Sequence, residues 1–346
     1  DFGDSDLKRV KTLEAINNPD CGWFYTADQK NFEKIPGSPI VYWFPSKLYK
    51  KFNLGTLKKD CVARKGMYTG DNDQFVRNWS EIEMINLHYF NNLKPKWYLY
   101  ANGGGIRKWS GNINDVVFWE NDGEKLRRLG NWSNYNSRAG AFNLDFIDKI
   151  GLYWSSISTT MFGVRLLPKD CLFSSAANAI FHESDEVEEL MALLNSNSVA
   201  YILKGINPTI NYNSGDIIRI PKPYEYLSDD TKNLIITYTR NNIFISKKDL
   251  SSKETSIDFK ESPLFQSIQY DEGNDCDYIL KEKSNLENRA YLEQIFENYK
   301  FKWTGMFYQL HRNEVELNKL FIEIYGLQDE LTPDVPLEEI TILQEE

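Results

Sequence analysis

Hydrophobic positions follow two different patterns along the chain, and the change between them separates a sheet-rich part from a helix-rich part. Between residues 97 and 181, aromatic and β-branched residues occur in short runs that glycine or asparagine interrupts. This arrangement is typical of strands joined by turns. Residues 152–157 and 163–167 are predicted to form a hairpin, and residues 171–173 a further strand. Together the runs predict a twisted antiparallel or mixed sheet.

Apolar residues of the later part recur every three or four positions, which is the spacing of amphipathic helices. Residues 187–203 are predicted to form one helix, since acidic residues stand in its first turn and a Lys-Gly pair follows its end. Residues 227–244 and 285–321 are predicted to form two more helices. The second is unusually long, and a break is expected near Gly305.

Shorter patterns predict the elements around the sheet. Ser46 is a suitable N-cap for a helix over residues 47–52, and either Asp71 or Asp73 is expected to cap a short helix. Three further runs are rich in apolar or β-branched residues and are predicted as strands: residues 40–44, 57–65 and 216–220.

These patterns predict an α+β (mixed α/β) fold, in which a twisted mixed sheet is followed by a mainly helical C-terminal region. Residues 1–39 mix polar and aromatic positions and are expected to be a connector. Residues 40–225 are predicted to form the sheet domain. Residues 226–346 are predicted to form the helical region, which ends in an acidic, solvated tail.

Composition narrows the class of protein. A chain of 346 residues with 41% hydrophobic residues is long enough to bury a sizeable core. Its apolar runs are far shorter than the ~18 residues of a membrane span. The cysteines and histidines are scattered without metal-ligand spacing, which favours reduced thiols in a cytoplasmic protein over a zinc or disulfide site. They are Cys21, Cys61, Cys171, Cys276, His88, His182 and His311.

Charge is distributed unevenly. The chain has a net charge of −10, but residues 1–130 hold 20 basic against 16 acidic residues, a net charge of +4. Residues 131–346 hold 20 against 34, a net charge of −14. A surface that faces nucleic acid is therefore expected mostly in the first part.

Residues 96–123 concentrate the chemistry that suits nucleic acid. Three consecutive glycines, Gly103 to Gly105, allow the backbone to turn and to approach another surface closely. Arg107 and Lys108 follow among tryptophans and tyrosines, and charge beside aromatic faces suits phosphate and base contacts. The alternative interpretation is a tight loop whose tryptophans belong to the core.

Residues 96–123, called the glycine segment below, resemble a segment of the PglX-type adenine-specific DNA methyltransferases of BREX phage-defence systems. They resemble single-chain restriction-modification enzymes more loosely. The resemblance covers most of the chain, and the matching blocks follow in a fixed order. They include Lys65-Gly66, Thr69-Gly70-Asp71-Asn72, Trp154-Ser155-Ser156-Ile157-Ser158, Phe162-Gly163-Val164-Arg165, Asn207-Pro208-Thr209-Ile210-Asn211, Gly215-Asp216-Ile217 and Ile324-Tyr325-Gly326-Leu327.

Two motifs of that family are absent from this sequence. The family methylates adenine N6 with S-adenosylmethionine, using an Asn-Pro-Pro-Tyr motif and a glycine-rich cofactor loop. The Asn-Pro pairs here, at Asn18 and Asn207, do not continue in that way. The resemblance therefore implies that this chain is the C-terminal, target-recognition part of a longer enzyme. Its DNA-binding target-recognition domain is expected at residues 40–225. No cofactor is expected in this chain, and S-adenosylmethionine is implied for the parent enzyme.

The same resemblance implies partners: double-stranded DNA, the enzyme's own N-terminal methyltransferase domain and other defence-system subunits, with no membrane. Basic, amide and hydroxyl side chains within the matched blocks are the candidates for DNA contact. Each of three candidates has an alternative interpretation: Arg165 as a structural arginine paired with a carboxylate, Asn211 as a residue that stabilises its own turn, and Trp109 as a core residue. The candidates are Arg77, Arg107, Lys108, Trp109, Asn112, Ser155, Ser156, Ser158, Arg165, Asn207 and Asn211.

A second class of function stays open at this point. The acidic helical part would suit a protein-interaction module that docks partner subunits, with the glycine segment merely structural. A nuclease is disfavoured, because the carboxylates show no arrangement that would hold Mg²⁺ beside a lysine.

Overall fold

A computed structural model describes residues 3–90, 95–129, 140, 143–184, 186–222, 227–264 and 285–343. Cys276 and the end of the acidic tail lie outside these residues. The helices are α1 (Ser5–Asn17), α2 (Gln29–Phe32), α3 (Ser46–Phe52), α4 (Asn72–Phe75), α5 (Glu120–Leu129), α6 (Glu188–Leu194), α7 (Asn197–Ile206), α8 (Ser214–Ile217), α9 (Asp229–Ser251) and α10 (Asn285–Tyr325). Within the described ranges, no helix is both long and apolar enough to cross a bilayer.

The strands form two four-stranded sheets rather than one. They are β1 (Cys61–Lys65), β2 (Val76–Asn78), β3 (Trp97–Ala101), β4 (Asp115–Phe118), β5 (Gly151–Ser155), β6 (Arg165–Leu167), β7 (Leu172–Phe173) and β8 (Ala177–His182). The first sheet has the order β1-β8-β5-β6 and is antiparallel, and the second has the order β2-β4-β3-β7. Because β3 and β7 run parallel, the second sheet is mixed. The predicted α+β class is confirmed.

The predicted hairpin is present as β5 and β6, which pair with Tyr153 opposite Arg165. The predicted cap at Asp71 is also present, because its carboxylate accepts a hydrogen bond from the Gln74 N–H at 3.0 Å and begins α4. Both features depend on neighbouring residues, which a local pattern contains. The predicted N-cap at Ser46 was wrong, because α3 begins at Ser46 itself and Pro45 precedes it without a side-chain cap.

The main core joins the sheet to the helices. Trp154 of β5 is fully buried in the same cluster as Ile235 of α9, and Leu310 and Phe321 of α10. Side chains on both sides of the predicted boundary at residue 225 therefore share one core.

Burial raises the pKa of the Cys61 and Cys171 thiols to about 12, so neither forms a thiolate near neutral pH.

The prediction of one helix over residues 187–203 was wrong, because the chain breaks between α6 and α7. At the break, the Asn195 amide bonds both backbone groups of Val164, and the Ser196 hydroxyl accepts from the Val199 N–H to cap α7. A partner 31 residues away thus competes with the helix.

Three other predicted elements differ from the structure. Residues 40–44 form turns, and Val41 and Phe44 are apolar because they are buried in the core. Residues 216–220 cover the end of α8 and a turn, and only the second half of residues 57–65 is a strand. The predicted break near Gly305 is absent, since α10 continues through it. One glycine costs a helix only about 1 kcal/mol.

Candidate nucleic-acid interface

A groove lies where three segments meet beyond the end of β5. Its walls are the glycine loop (Gly103–Gly105), the serine-threonine segment (residues 155–162) and the asparagine loop (residues 207–212). Two hollows of about 330 and 810 Å³ share residues 158–162 and form this groove, whose lining mixes polar and apolar side chains. Gly104, Gly105, Thr159 and Thr160 are exposed along it.

The glycine loop is held in place through its carbonyl groups. Arg165 donates to the Gly103 carbonyl at 2.8 Å, Ser155 to the Gly104 carbonyl at 2.7 Å, and Asn112 to the Gly105 carbonyl at 2.6 Å. Positive φ angles of 85° and 97° at Gly103 and Gly104 make this path possible. Gly104 and Gly105 are exposed, and their N–H groups make no hydrogen bond with the described part of the chain.

Arg165 itself is fully buried. Its guanidinium lies 4.4 Å from the centre of the Tyr153 ring and also bonds the Ser155 hydroxyl at 3.0 Å. These surroundings agree with the alternative interpretation, a structural arginine. Its partners are carbonyl oxygens and a hydroxyl group rather than a carboxylate. The sequence predicted that Arg165 contacts DNA directly, and its burial conflicts with that prediction.

Arg107 and Lys108 also lie elsewhere than predicted. The Arg107 guanidinium pairs with the Asp249 carboxylate of α9 at 2.6 Å, and the Lys108 ammonium with the Glu314 carboxylate of α10 at 2.8 Å. All four side chains are at least nine-tenths buried. Trp109 is core, and its indole N–H donates to the same Glu314 at 2.7 Å. These three residues attach the glycine segment to the helices, so their predicted contact with DNA conflicts with the structure.

The asparagine loop pairs with the serine-threonine segment. Ile157 stands opposite Asn211 in an antiparallel bridge, and the N–H of Ser158 donates to the Ile210 carbonyl at 3.0 Å. Asn207 shapes the loop from within: its amide donates to the Asn211 carbonyl at 2.9 Å and to the Asp216 carboxylate at 2.7 Å. Asn207 thus holds the loop.

The Asn211 side chain differs from the other candidates in the groove. It is exposed, and its amide makes no hydrogen bond with the described residues. By comparison, the Ser156 hydroxyl donates to the Ser175 carbonyl at 3.2 Å, and the Ser158 hydroxyl to the Met161 carbonyl at 2.7 Å. The latter two are half-buried.

Arg77 lies on β2 in the other sheet. It is half-buried, and its guanidinium donates to the carbonyls of Asp73 and Val76. Two further hollows that share Asn102 and Asp115 connect its surroundings with the glycine loop. Of the predicted residues, Ser155, Ser158 and Asn207 line the groove, and Ser156 and Asn211 lie on the segments that form its walls. Asn112 lines the neighbouring hollow beside the glycine loop, Arg77 lies on the other sheet, and the rest are buried.

Sequence reasoning missed the exposed isoleucines of this groove. Ile157 and Ile210 have 61% and 50% of their surface exposed. An apolar residue within a Ser-Ser-Ile-Ser-Thr-Thr run was the available signal, since its neighbours are all small and polar.

Comparison with known proteins identifies relatives over nearly the whole chain, although no family model matches. The chain is 31% identical over 350 residues to the adenine-specific methyltransferase PglX of Lacticaseibacillus casei (strain Zhang), covering 99% of this chain and 28% of that protein. It is 30% identical over 341 residues to the adenine-specific methyltransferase BrxX of Escherichia coli O9:H4 (strain HS), covering 96% of this chain and 25% of that protein.

Among solved structures, the type IIL restriction-modification enzyme MmeI in complex with DNA gives a TM-score of 0.47 at 11% identity. That match covers 80% of this chain and 34% of MmeI. The chain spans about a quarter of the length of the two methyltransferases. The resemblance predicted from the sequence is confirmed: over almost its whole length, this chain is homologous to a segment of the PglX- and BrxX-type adenine-specific methyltransferases.

Proposed function

We propose that this chain selects the DNA target site for an adenine-specific (N6) DNA methyltransferase of a phage-defence or restriction-modification system. Two methyltransferase relatives that match over 96% or more of the chain support this assignment. The sequence has no Asn-Pro-Pro-Tyr motif, which favours a role other than methyl transfer for this segment. S-adenosylmethionine would be bound by an upstream methyltransferase domain, which is the first partner we propose.

The observation that carries the proposal is the groove with its hydrogen-bonding groups. Phosphate oxygens accept hydrogen bonds from backbone N–H groups, and the exposed residues Gly104 and Gly105 offer two that make no hydrogen bond with the described part of the chain. Base edges are read by amide and hydroxyl side chains, of which Asn211 is unengaged within the described chain. Lys204 is exposed at the wall and adds one positive charge, while Glu330, Asp334 and Glu339 line the same hollow with negative charge.

The alternative function, docking of partner subunits by the acidic helices, is not favoured. Asp249 and Glu314 belong to those helices, and their carboxylates form buried ion pairs with the glycine segment. Other defence-system subunits remain proposed partners of the whole enzyme.

DNA binding by the 346-residue chain tests the proposal. Selection from a random duplex library should enrich one sequence motif. Affinity for that motif should fall with salt at a shallow slope of about −1 to −3 in log K against log salt, because few cations line the groove. Asn211→Ala should weaken binding to the motif, whereas Asn17→Ala, on exposed helix α1, should leave it unchanged. Absence of any enriched motif would contradict the proposed function.

We also expect the purified chain to transfer no methyl group to DNA. The physical reason is that the sequence lacks both the cofactor loop and the Asn-Pro-Pro-Tyr motif. The measurement is incorporation of label from S-adenosylmethionine into duplexes that carry the enriched motif. A longer protein that includes the methyltransferase domain is the positive control, and label above background with the chain alone would overturn the expectation.

A further inference from the structure

The bridge between Ile157 and Asn211 places two different side chains next to each other at the edge of the groove. The N–H of Ser158 donates to the Ile210 carbonyl at 3.0 Å, and the N–H of Tyr212 to the Ser156 carbonyl at 2.8 Å. These bonds flank the bridge, so Ile157 and Asn211 form a non-hydrogen-bonded antiparallel pair. In such a pair the Cα atoms are about 4.5 Å apart and the two side chains lie on one face.

Both side chains are directed away from the protein. Ile157 has 61% of its surface exposed, and Asn211 is exposed. Of the four residues that flank the pair and alternate to the opposite face, Ser156, Ser158 and Tyr212 are half-buried and Ile210 is 50% exposed.

The backbone of the asparagine loop is held in place at Asn211 and Tyr212. The Asn211 carbonyl accepts from the Asn207 amide at 2.9 Å, and the Asn211 N–H donates to the Thr209 hydroxyl at 3.2 Å. The Tyr212 carbonyl accepts from the buried Trp154 indole at 2.8 Å and from the Asn178 amide at 3.0 Å. A free amide on a fixed backbone loses little entropy when it binds.

An isoleucine beside an asparagine matches one base pair. In the major groove, adenine presents the N7 acceptor and the N6 donor, which one carboxamide satisfies with two hydrogen bonds. Thymine presents the C5-methyl group, which favours apolar contact. A G·C pair presents neither an N6 donor beside N7 nor a methyl group.

We infer that Ile157 and Asn211 together read one A·T pair of the target site, with Asn211 on the adenine and Ile157 on the thymine methyl group. This inference rests on the proposed function and adds to it the two specificity-determining residues and the base pair that they select. A major groove about 12 Å wide admits a two-stranded β-ribbon, and the two segments joined at the Ile157–Asn211 bridge are paired there in the same antiparallel way.

Base analogues test each contact separately in the 346-residue chain bound to its enriched motif. Replacing the thymine with uracil removes the methyl group and should weaken binding by the wild type about fourfold, the equivalent of one buried carbon. Ile157→Ala should bind the thymine and uracil duplexes equally. Replacing the adenine with 7-deazaadenine should cost the wild type between about twofold and tenfold, and Asn211→Ala nothing.

Substitution of the amide gives an independent readout. Asn211→Asp replaces the N–H₂ donor with an acceptor, so selection with this variant should shift the position from A·T towards a pair whose cytosine N4 donates to it. Ile85→Ala is the matched control, since Ile85 is 68% exposed and lies outside the groove; it should retain the uracil penalty. Circular dichroism and melting should show that all variants are folded, as exposed positions predict.

The outcomes distinguish the two levels. If the chain enriches no motif, the proposed function and this inference both fail. If a motif is enriched but both variants keep its A·T preferences and the wild-type analogue penalties, the function stands and this inference is wrong.

Discussion

Replacing Glu314 with alanine should destabilise the fold by about 3–5 kcal/mol, which is the usual cost of removing one partner from a buried ion pair. The Glu314 carboxylate accepts from the Lys108 ammonium at 2.8 Å and from the Trp109 indole at 2.7 Å. Without it, a buried cation and a buried N–H both lose their partner. The free energy of unfolding from denaturant titration is the measurement.

Glu316→Ala is the matched control on the same helix. Glu316 pairs with Lys319 one turn away, and both side chains are about half exposed, so the loss should not exceed about 0.5 kcal/mol. If Glu314→Ala unfolds at the same denaturant concentration as Glu316→Ala, the buried pair makes no contribution.

A double variant separates structural from DNA-binding roles. Lys108→Met with Glu314→Gln removes both charges and keeps an acceptor for the Trp109 indole, so most of the lost stability should return. Because Lys108 faces α10 and not solvent, this variant should bind DNA with the wild-type affinity and salt slope. If the salt slope of DNA binding fell by about one, the result would instead support the predicted contact between Lys108 and a phosphate.

The positions of Arg107 and Lys108 show what a sequence pattern leaves undetermined. Their charge and aromatic neighbours predicted phosphate contact, but their partners, Asp249 and Glu314, lie 142 and 206 residues further along the chain. No local pattern reveals such a pairing. Asn211, whose neighbours within the loop fix its backbone, was a candidate from its residue type and its matched block.

The fold divides in the same way. The β5–β6 hairpin and the Asp71 cap were predictable because short-range contacts form them. The second sheet was not, since it needs the parallel pairing of Tyr100 with Leu172 across 72 residues. Within the run at residues 40–44, Val41 and Phe44 are buried in the main core without strand pairing, and such burial gives the same local composition as a strand.

Substitution of Gly66 should have the other large effect on stability. Gly66 follows β1 in the first sheet, and the next residue, Met67, donates its N–H to the Phe173 carbonyl of the second sheet at 2.9 Å. A Cβ at Gly66 would lie 2.1 Å from that carbonyl oxygen and 2.5 Å from the Ser174 carbonyl oxygen. Both contacts are far inside van der Waals distance.

Gly66→Ala should therefore cost more than about 3 kcal/mol, beyond the usual penalty of overpacking, because the obstructing atoms belong to paired backbone and cannot turn aside. Gly305→Ala is the control: nothing lies within 4 Å of a Cβ there, and alanine in a helix interior should add about 0.5–1 kcal/mol. Denaturant midpoints of the two variants should move in opposite directions. An unchanged midpoint for Gly66→Ala would mean that the two sheets are not joined closely at this residue. The glycine loop follows β3 of the second sheet, so its position relative to the first sheet would then have to be fixed by other contacts.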